Sequence, residues 1–502
     1  MDIFSNLGLG IEVMLKPANI LFCFIGAFLG TAVGVLPGVG PLATIAMLLP
    51  ITFKVSPEAS IIMLAGIYYG AQYGGSTTAI LINLPGEASS AVTAIDGYQM
   101  ARQGKAGTAL SIAAIGSFIA GTFATFLIAV FAIPLSKLAL TFGPVEYFAL
   151  MTLGLVASIT LANGSVFNAL AMIVLGLLLG TVGTDIYTGS ARFTLGLDGL
   201  ADGIPIVAFG AGVYGISEIL AGLEQESDTP VEVAQITSLL PSREDMKASM
   251  PPIARGTILG SLLGVLPGGG PLLASFGSYT LEKRLAKHPE RFGKGAIEGV
   301  AGPESANNAG AQTSFVPMLT LGIPSNPIMA LMMGALVIQG VVPGPDFMNT
   351  HPALFWGVIA SMWMGNIMLL VLNLPMIGLW VRLLKVPQRA LYPAIVAFAS
   401  VGVYSVNTNA FDLLVMVIFG FIGYLMTKLA CEPAPLLLGF VLGPMIEEYF
   451  RRAMTISKGD PIIFLQKPIA AVMLLIAAIM FIAALLPTIA RKRDEIFVDD
   501  GA

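Results

Sequence analysis

The chain has 502 residues, 56% of them hydrophobic and 11% charged, with a mean hydropathy of +0.85. Soluble domains carry about 25% charged residues, so a water-soluble globular protein is excluded. The net charge of -5 then says little about partners, because the placement of Lys and Arg around membrane spans carries that information. Neither a basic stretch nor a small-residue cleavage site precedes the first apolar run, so the first segment is expected to be retained. Apolar stretches near the ~20 residues that cross a bilayer recur at residues 20–36, 109–133, 148–161, 206–220, 354–374, 413–426 and 468–486. Ten to twelve crossings are predicted in all. Cys23 and Cys431 sit in or beside apolar segments, which speaks against a disulfide framework or a zinc site.

Taken in order, the first landmark is GVLPGVGP (residues 34–41), which returns as GVLPGGGP (residues 264–271). The run YGAQYGGSTTAILINLPGEASS (residues 69–90) has its counterpart in GPESANNAGAQTS (302–314) and LGIPSNP (321–327), and each leads to a proline break, at Pro85 and Pro324. Three parts follow: a first half over residues 1–223, a polar connector over 224–252 and a second half over 253–502. The second half is longer between its motifs by about ten residues, visible as EKRLAKHPERFGKG (282–295) with Lys283, Arg284, Lys287, Arg291 and Lys294. Its first-half equivalent, residues 50–57, has only Lys54. In the loops after the second break the asymmetry reverses: residues 100–105 contain Arg102 and Lys105, whereas 341–351 contain no Lys or Arg. By the positive-inside rule corresponding loops lie on opposite sides, which predicts two inverted-topology repeats with broken or re-entrant helices. The alternative is that the halves merely share small residues that let helices approach. Arg451 and Arg452 precede the last span and Arg491–Arg493 follow it, so one span leaves a cluster on the wrong side; a re-entrant segment over 433–446 would reconcile them.

Polar residues inside such a chain carry the chemistry. Glycines let backbone unwind or approach a ligand closely, and unwound carbonyls and amides are tolerated in a membrane protein only where buried or lining a cavity. Freed carbonyls with Ser76, Thr77, Thr78 and Asn83 could cage an alkali cation, while amides at Gly86 and Ala88 after Pro85 would aim a positive helix end at an anion. Ser305, Asn307, Asn308, Gln312, Thr313, Ser325 and Asn326 occupy the matching places. The substrate is expected at Ser76, Thr77, Asn83, Pro85, Gly86, Asn307, Asn308, Pro324, Ser325 and Asn326. Coupling cations are expected at Gly38, Gly40, Gly74, Thr78, Gly268, Gly270, Gln312 and Thr313. Glu87, Asp96, Glu298 and Glu304 lie in or beside the breaks as cation ligands, proton carriers or caps, with a cap foremost for Asp96. No Lys or Arg lies inside these motifs to meet an anion. Neither octapeptide ends in GK[ST], so ATP is not used directly. His288 and His351 both lie in loops beside proline, which leaves no histidine catalysis and no enzyme as the main reading. A channel would need a ring of selective groups, so a carrier fits two inverted halves better.

These motifs, in this order along nearly the whole chain, resemble the large membrane subunit (TctA) of the tripartite tricarboxylate transporter family. The resemblance implies an all-α polytopic protein of about twelve transmembrane helices in a bacterial cell inner membrane. It also implies a small four-span membrane subunit, a periplasmic solute-binding protein, and sodium-coupled uptake of citrate-like tri- or dicarboxylates with no cofactor beyond the ion. An elevator motion follows by analogy with other tripartite transporters. A proton-coupled or binding-protein-independent carboxylate carrier is the alternative; a membrane-embedded enzyme or a channel fits less well.

Overall fold

The computed structural model describes residues 3–36, 40–52, 54–161, 165–224, 234, 236, 238–266, 270–384, 386 and 388–486. In the first half the helices are α1 (Ile3–Met14), α2 (Pro17–Val35), α3 (Pro41–Thr52), α4 (Pro57–Ile82), α5 (Ala91–Met100), α6 (Ala106–Ala139), α7 (Pro144–Leu161), α8 (Val166–Gly180) and α9 (Ile206–Glu224). The second half holds α10 (Arg243–Gly264), α11 (Gly270–Leu285), α12 (Glu298–Thr313), α13 (Phe315–Leu321), α14 (Pro327–Ile338), α15 (Pro352–Asn373), α16 (Ile377–Leu383), α17 (Gln388–Asn407), α18 (Ala410–Lys428), α19 (Pro433–Ile456) and α20 (Pro468–Leu485). Residues Gly183–Thr184 and Ala191–Arg192 form a short antiparallel hairpin. The polytopic all-α class is therefore as expected.

Among the described residues six helical stretches, including α2, α9, α15, α18 and α20, are long and apolar enough to cross a membrane, and five shorter apolar helices accompany them. The polar breaks ride on helices of another kind. From Ala59 to Leu81, α4 is buried at every residue, and α12 is buried from Gly299 to Thr313. A helix that meets protein on all sides answers to its neighbours rather than to lipid, which is why these two can be rich in Gly, Ser and Asn. Val472, Leu475, Ile479 and Ile482 of α20 instead point outward and exposed. That is unfavourable in water and matches a lipid-facing surface.

One close-packing device repeats in both halves. A methyl group on Gly26, Gly30 or Gly34 of α2 would overlap the backbone of Met63, Ile67 or Ala71 of α4. At the displacement that relates Gly34 to Gly264, a methyl on Gly256, Gly260 or Gly264 of α10 would overlap Gly302, Ala306 or Gly310 of α12. Gly66, Gly70 and Gly74 complete the first ladder from the α4 side. The glycines of residues 70–75 thus serve close approach within an unbroken helix, rather than the unwinding predicted for them.

The loops pair by charge. Gln103, in the turn between α5 and α6, donates to the Lys294 carbonyl at 2.8 Å, so the two basic loops meet. At the other meeting point Gln339 donates to the Thr52 carbonyl at 2.8 Å, joining the two loops poor in Lys and Arg.

One expectation is revised. The stretch 433–446 is the first part of the single helix α19, and the Arg451 and Arg452 at its end are locally neutralised. Arg451 pairs with Asp185 at 3.1 Å and Glu447 at 2.6 Å, and Arg452 pairs with Glu448. Within the stretch 224–252 a capping box between Ser242 and Asp245 starts α10. The Arg491–Arg493 cluster lies outside the described residues.

Candidate functional site

Each half interrupts a buried helix in the same way. α4 ends where Asn83 turns left-handed (φ 58°, ψ 27°); Pro85 follows, and Glu87 (φ -151°, ψ 162°) caps the short turn Ala88–Ser90 that leads into α5. α13 ends where Gly322 turns left-handed (φ 69°, ψ 28°); Pro324 follows, and Asn326 (φ -154°, ψ 170°) caps α14, its Oδ1 accepting from the Met329 amide at 3.0 Å. A left-handed residue closes a helix by satisfying its last carbonyls, and Asn and Gly tolerate it best. Both breaks are therefore encoded by a left-handed residue, a proline two positions on, and a polar cap two beyond that. Asn83, Leu84 and Pro85 are exposed, whereas Pro324, Ser325 and Asn326 are buried.

Each break reaches across to the other half. Asn307 Nδ2 of α12 approaches Glu87 Oε1 at 3.4 Å, and Asn326 Nδ2 approaches the Tyr68 hydroxyl of α4 at 3.4 Å. Between them runs a buried polar seam. Glu304, fully buried, accepts from Ser76 Oγ at 2.6 Å and from the Thr93 hydroxyl. Among the described residues no Lys, Arg or His forms an ion pair with it. Asn308 Nδ2 donates to Ser117 Oγ at 2.7 Å, and Gln312 joins Thr125 at 2.5 Å and Asn366 at 3.0 Å.

The structure thus places Ser76, Thr77 and Asn308 beside Glu304, while Asn307 meets Glu87. Asn326 stands beside Gly270, where a methyl would meet its carboxamide at 3.4 Å. Gly86 lies against the Gly34 carbonyl, which brings the first octapeptide to the first break. Ser325 donates to the Ser314 carbonyl at 3.2 Å. Gly40 accepts from the Thr44 amide and hydroxyl at 3.3 and 3.2 Å at the start of α3. Gly74 belongs to the glycine ladder, and Thr78 and Thr313 donate to Gly75 and Ala309 carbonyls of their own helices. Gln312 sits apart with Thr125 and Asn366. Gly38 and Gly268 lie outside the described residues. Asp96 is a cap: its Oδ1 accepts from the Gly295 and Ala296 amides, each at 2.8 Å, just ahead of α12. Glu298 is partly exposed, 3.7 Å from Arg291.

Tyr68, Tyr73, Thr93, Ser117, Thr125, Asn366 and Asn373 escaped the sequence reading. Asn366 and Asn373 fall one heptad apart on one face of an otherwise apolar span, and that spacing is the signal that could have found them.

A buried polar seam between two sets of interrupted helices, inside an apolar exterior, is the build of a multi-pass membrane protein. A sequence model of the tripartite tricarboxylate transporter TctA family matches residues 20–438, and the chain belongs to that family. It is 62% identical over 500 residues, covering 100% of both chains, to an uncharacterized 52.8 kDa protein in the TAR-I ttuC' 3' region of Agrobacterium vitis. A second relative, an uncharacterized protein in the TAR-II ttuC' 3' region of the same organism, is 62% identical over 241 residues, 48% of this chain and 100% of its own length. No solved structure matches the chain.

Proposed function

We propose that this chain is the large permease subunit of a binding-protein-dependent secondary transporter that imports tri- or dicarboxylates of the citrate type with sodium across a bacterial inner membrane. In this reading a periplasmic binding protein delivers the carboxylate, a small four-span subunit completes the membrane complex, and about twelve crossings arise from the two halves, 1–223 and 253–502. The observation that carries the reading is the pair of equivalent breaks, Asn83–Glu87 and Gly322–Asn326, each contacting the opposite half. Inverted topology is supported by the meeting of basic loop with basic loop and of non-basic loop with non-basic loop, since α4–α5 and α12–α14 then run in opposite directions between the two ends. Alternating access of the elevator type is supported by the unequal exposure of the breaks, the first open and the second covered.

Substrate carboxylates would meet Ser76, Thr77, Asn307 and Asn308, and the helix starts that follow Pro85–Gly86 and Pro324–Asn326, where the helix dipole favours an anion. Sodium near Gly40 and Gly270 would help neutralise the substrate, and one charge moving through 100 mV contributes about 2.3 kcal/mol of drive. The test is uptake of labelled citrate, then of other carboxylates, into proteoliposomes holding this chain with its small membrane partner. Uptake that requires both binding protein and an inward sodium gradient supports the proposal, and uptake indifferent to sodium refutes the coupling.

A further inference from the structure

Where α4, α6, α12 and α15 meet there is a cavity of about 10 Å³, whose polar lining is Tyr73, Ser76, Thr77, Ser117, Glu304 and Asn373. That volume holds one occupant the size of a water molecule or a bare alkali ion. Two polar atoms of the lining residues have no partner, the Tyr73 hydroxyl and Asn373 Oδ1, although the residues are only 3% and 4% exposed. Buried polar atoms are almost always paired, so two unpaired ones on one cavity call for a partner of the size of a water or an ion. Its chemistry follows from the donors: one carboxylate, one carboxamide oxygen and four hydroxyls, with no cationic residue in the lining. These are hard oxygen ligands, unsuited to soft metals. Calcium takes 6–8 oxygens, usually with several carboxylates, whereas no cluster of three His, Cys, Asp or Glu exists among the described residues. A single carboxylate balances a single positive charge.

We propose that this cavity is a binding site for one sodium-sized monovalent cation, held by Glu304, Asn373 and Ser76. It is distinct from the glycine breaks, where the sequence places cations, and it rests on the sodium-coupled reading above. Because Ser76 and Ser117 belong to the first half and Glu304 and Asn373 to the second, the ion bridges the halves and its binding is tied to how they sit against one another.

Binding is measured with radiolabelled sodium on the purified full chain, alongside sodium-dependent thermal stabilisation, for wild type, Glu304→Gln, Asn373→Ala and, as a buried unpaired hydroxyl elsewhere, Ser136→Ala. The expected result is saturable binding that weakens at least tenfold in Glu304→Gln and Asn373→Ala and is unchanged in Ser136→Ala. Asn373→Ala keeps the test alive should Glu304→Gln fail to fold, with monodispersity on size exclusion as the criterion. Sodium binding of wild-type strength in both variants overturns the site and leaves transport standing. Absence of saturable sodium binding in the wild type overturns it as well, and a pH-dependent stability that vanishes in Glu304→Gln would then make the occupant a proton. Sodium binding lost in the variants, with no carboxylate uptake by the wild type under any gradient, upholds the site and refutes the transport reading instead.

Discussion

Replacing Gly30 or Gly260 by alanine tests whether the two halves share one packing device. At Gly30 an added methyl would lie 2.7 Å from Ile67 Cα and 2.8 Å from its carbonyl carbon; at Gly260 the same distances, 2.7 and 2.8 Å, separate it from Ala306 Cα and carbonyl carbon. Ordinary carbon contacts begin at about 3.4 Å, and backbone atoms cannot rotate aside, so each helix pair must part by at least about 0.7 Å. A radial gap of that size forfeits a quarter to a half of each contact it opens, and overpacking of this kind costs about 1–3 kcal/mol. Because the geometry is the same, the two variants should lose similar amounts, and their double variant about the sum, since the ladders are separate. Gly378→Ala is the control: nothing lies within 4 Å of its methyl, and alanine in a helix is favoured over glycine by up to about 1 kcal/mol. Thermal unfolding of the detergent-solubilised protein should show Tm falling by several degrees for Gly30→Ala and Gly260→Ala and holding or rising for Gly378→Ala. If all three behave alike, the glycines are not there for close approach and the shared ladder is a coincidence of composition.

Three further outcomes are expected. Asn83→Gly should keep carboxylate uptake, because glycine adopts the left-handed cap, whereas Asn83→Leu should lose it with about 1–2 kcal/mol of strain; loss in both would make the Asn83 side chain a ligand. Asn308→Leu removes the donor to Ser117 and should cut uptake at least tenfold while normal amounts of protein reach the membrane; uptake that survives places the substrate elsewhere. The Tyr187 amide, at 2.9 Å, and then Arg451 hold the Asp185 carboxylate below its ordinary pKa. A depressed pKa contributes stability that is complete above the unfolded value, about 3.9, and is lost as pH falls through the folded one. The loop 181–205 should therefore resist proteases unchanged from pH 8 to 5 and open to pepsin only below about pH 4; Asp185→Asn should be cleaved already at neutral pH, and equal resistance in wild type and variant would refute the clamp.

Much of this architecture is written where composition and punctuation coincide. Low charge gave away the lipid environment, and Pro85 and Pro324, each two residues past a left-handed cap and just ahead of a polar one, marked the breaks to within a few residues. What a sequence cannot say is which of its freedoms a glycine uses. Gly70 and Gly74 were open to unwinding or to close approach, and the choice was made by Gly30 and Gly34 on another helix. Asn83 posed the same ambiguity, since one carboxamide side chain suits a ligand and a left-handed cap equally. Thr93, Ser117 and Asn373 were missed because motif reasoning looks where polar residues cluster, whereas a seam between helices is assembled from single polar residues scattered over apolar spans.

The reciprocal contacts at the breaks bear on how such a molecule would move. Glu87 meets Asn307 while Asn326 meets Tyr68, so neither break can shift without changing a contact made by the other half. Under the proposed mechanism, covering the exposed Asn83–Pro85 and uncovering the buried Pro324–Asn326 would be one event rather than two. The seam around Glu304 lies between the same helices, α4 and α12, and a cation bound there would favour whichever arrangement keeps Ser76 and Glu304 together. A ligand moves an equilibrium only by its preference for one state over another. Under that mechanism the coupling energy available to sodium would be the difference in its affinity between the arrangement with Ser76 beside Glu304 and the one in which they have separated.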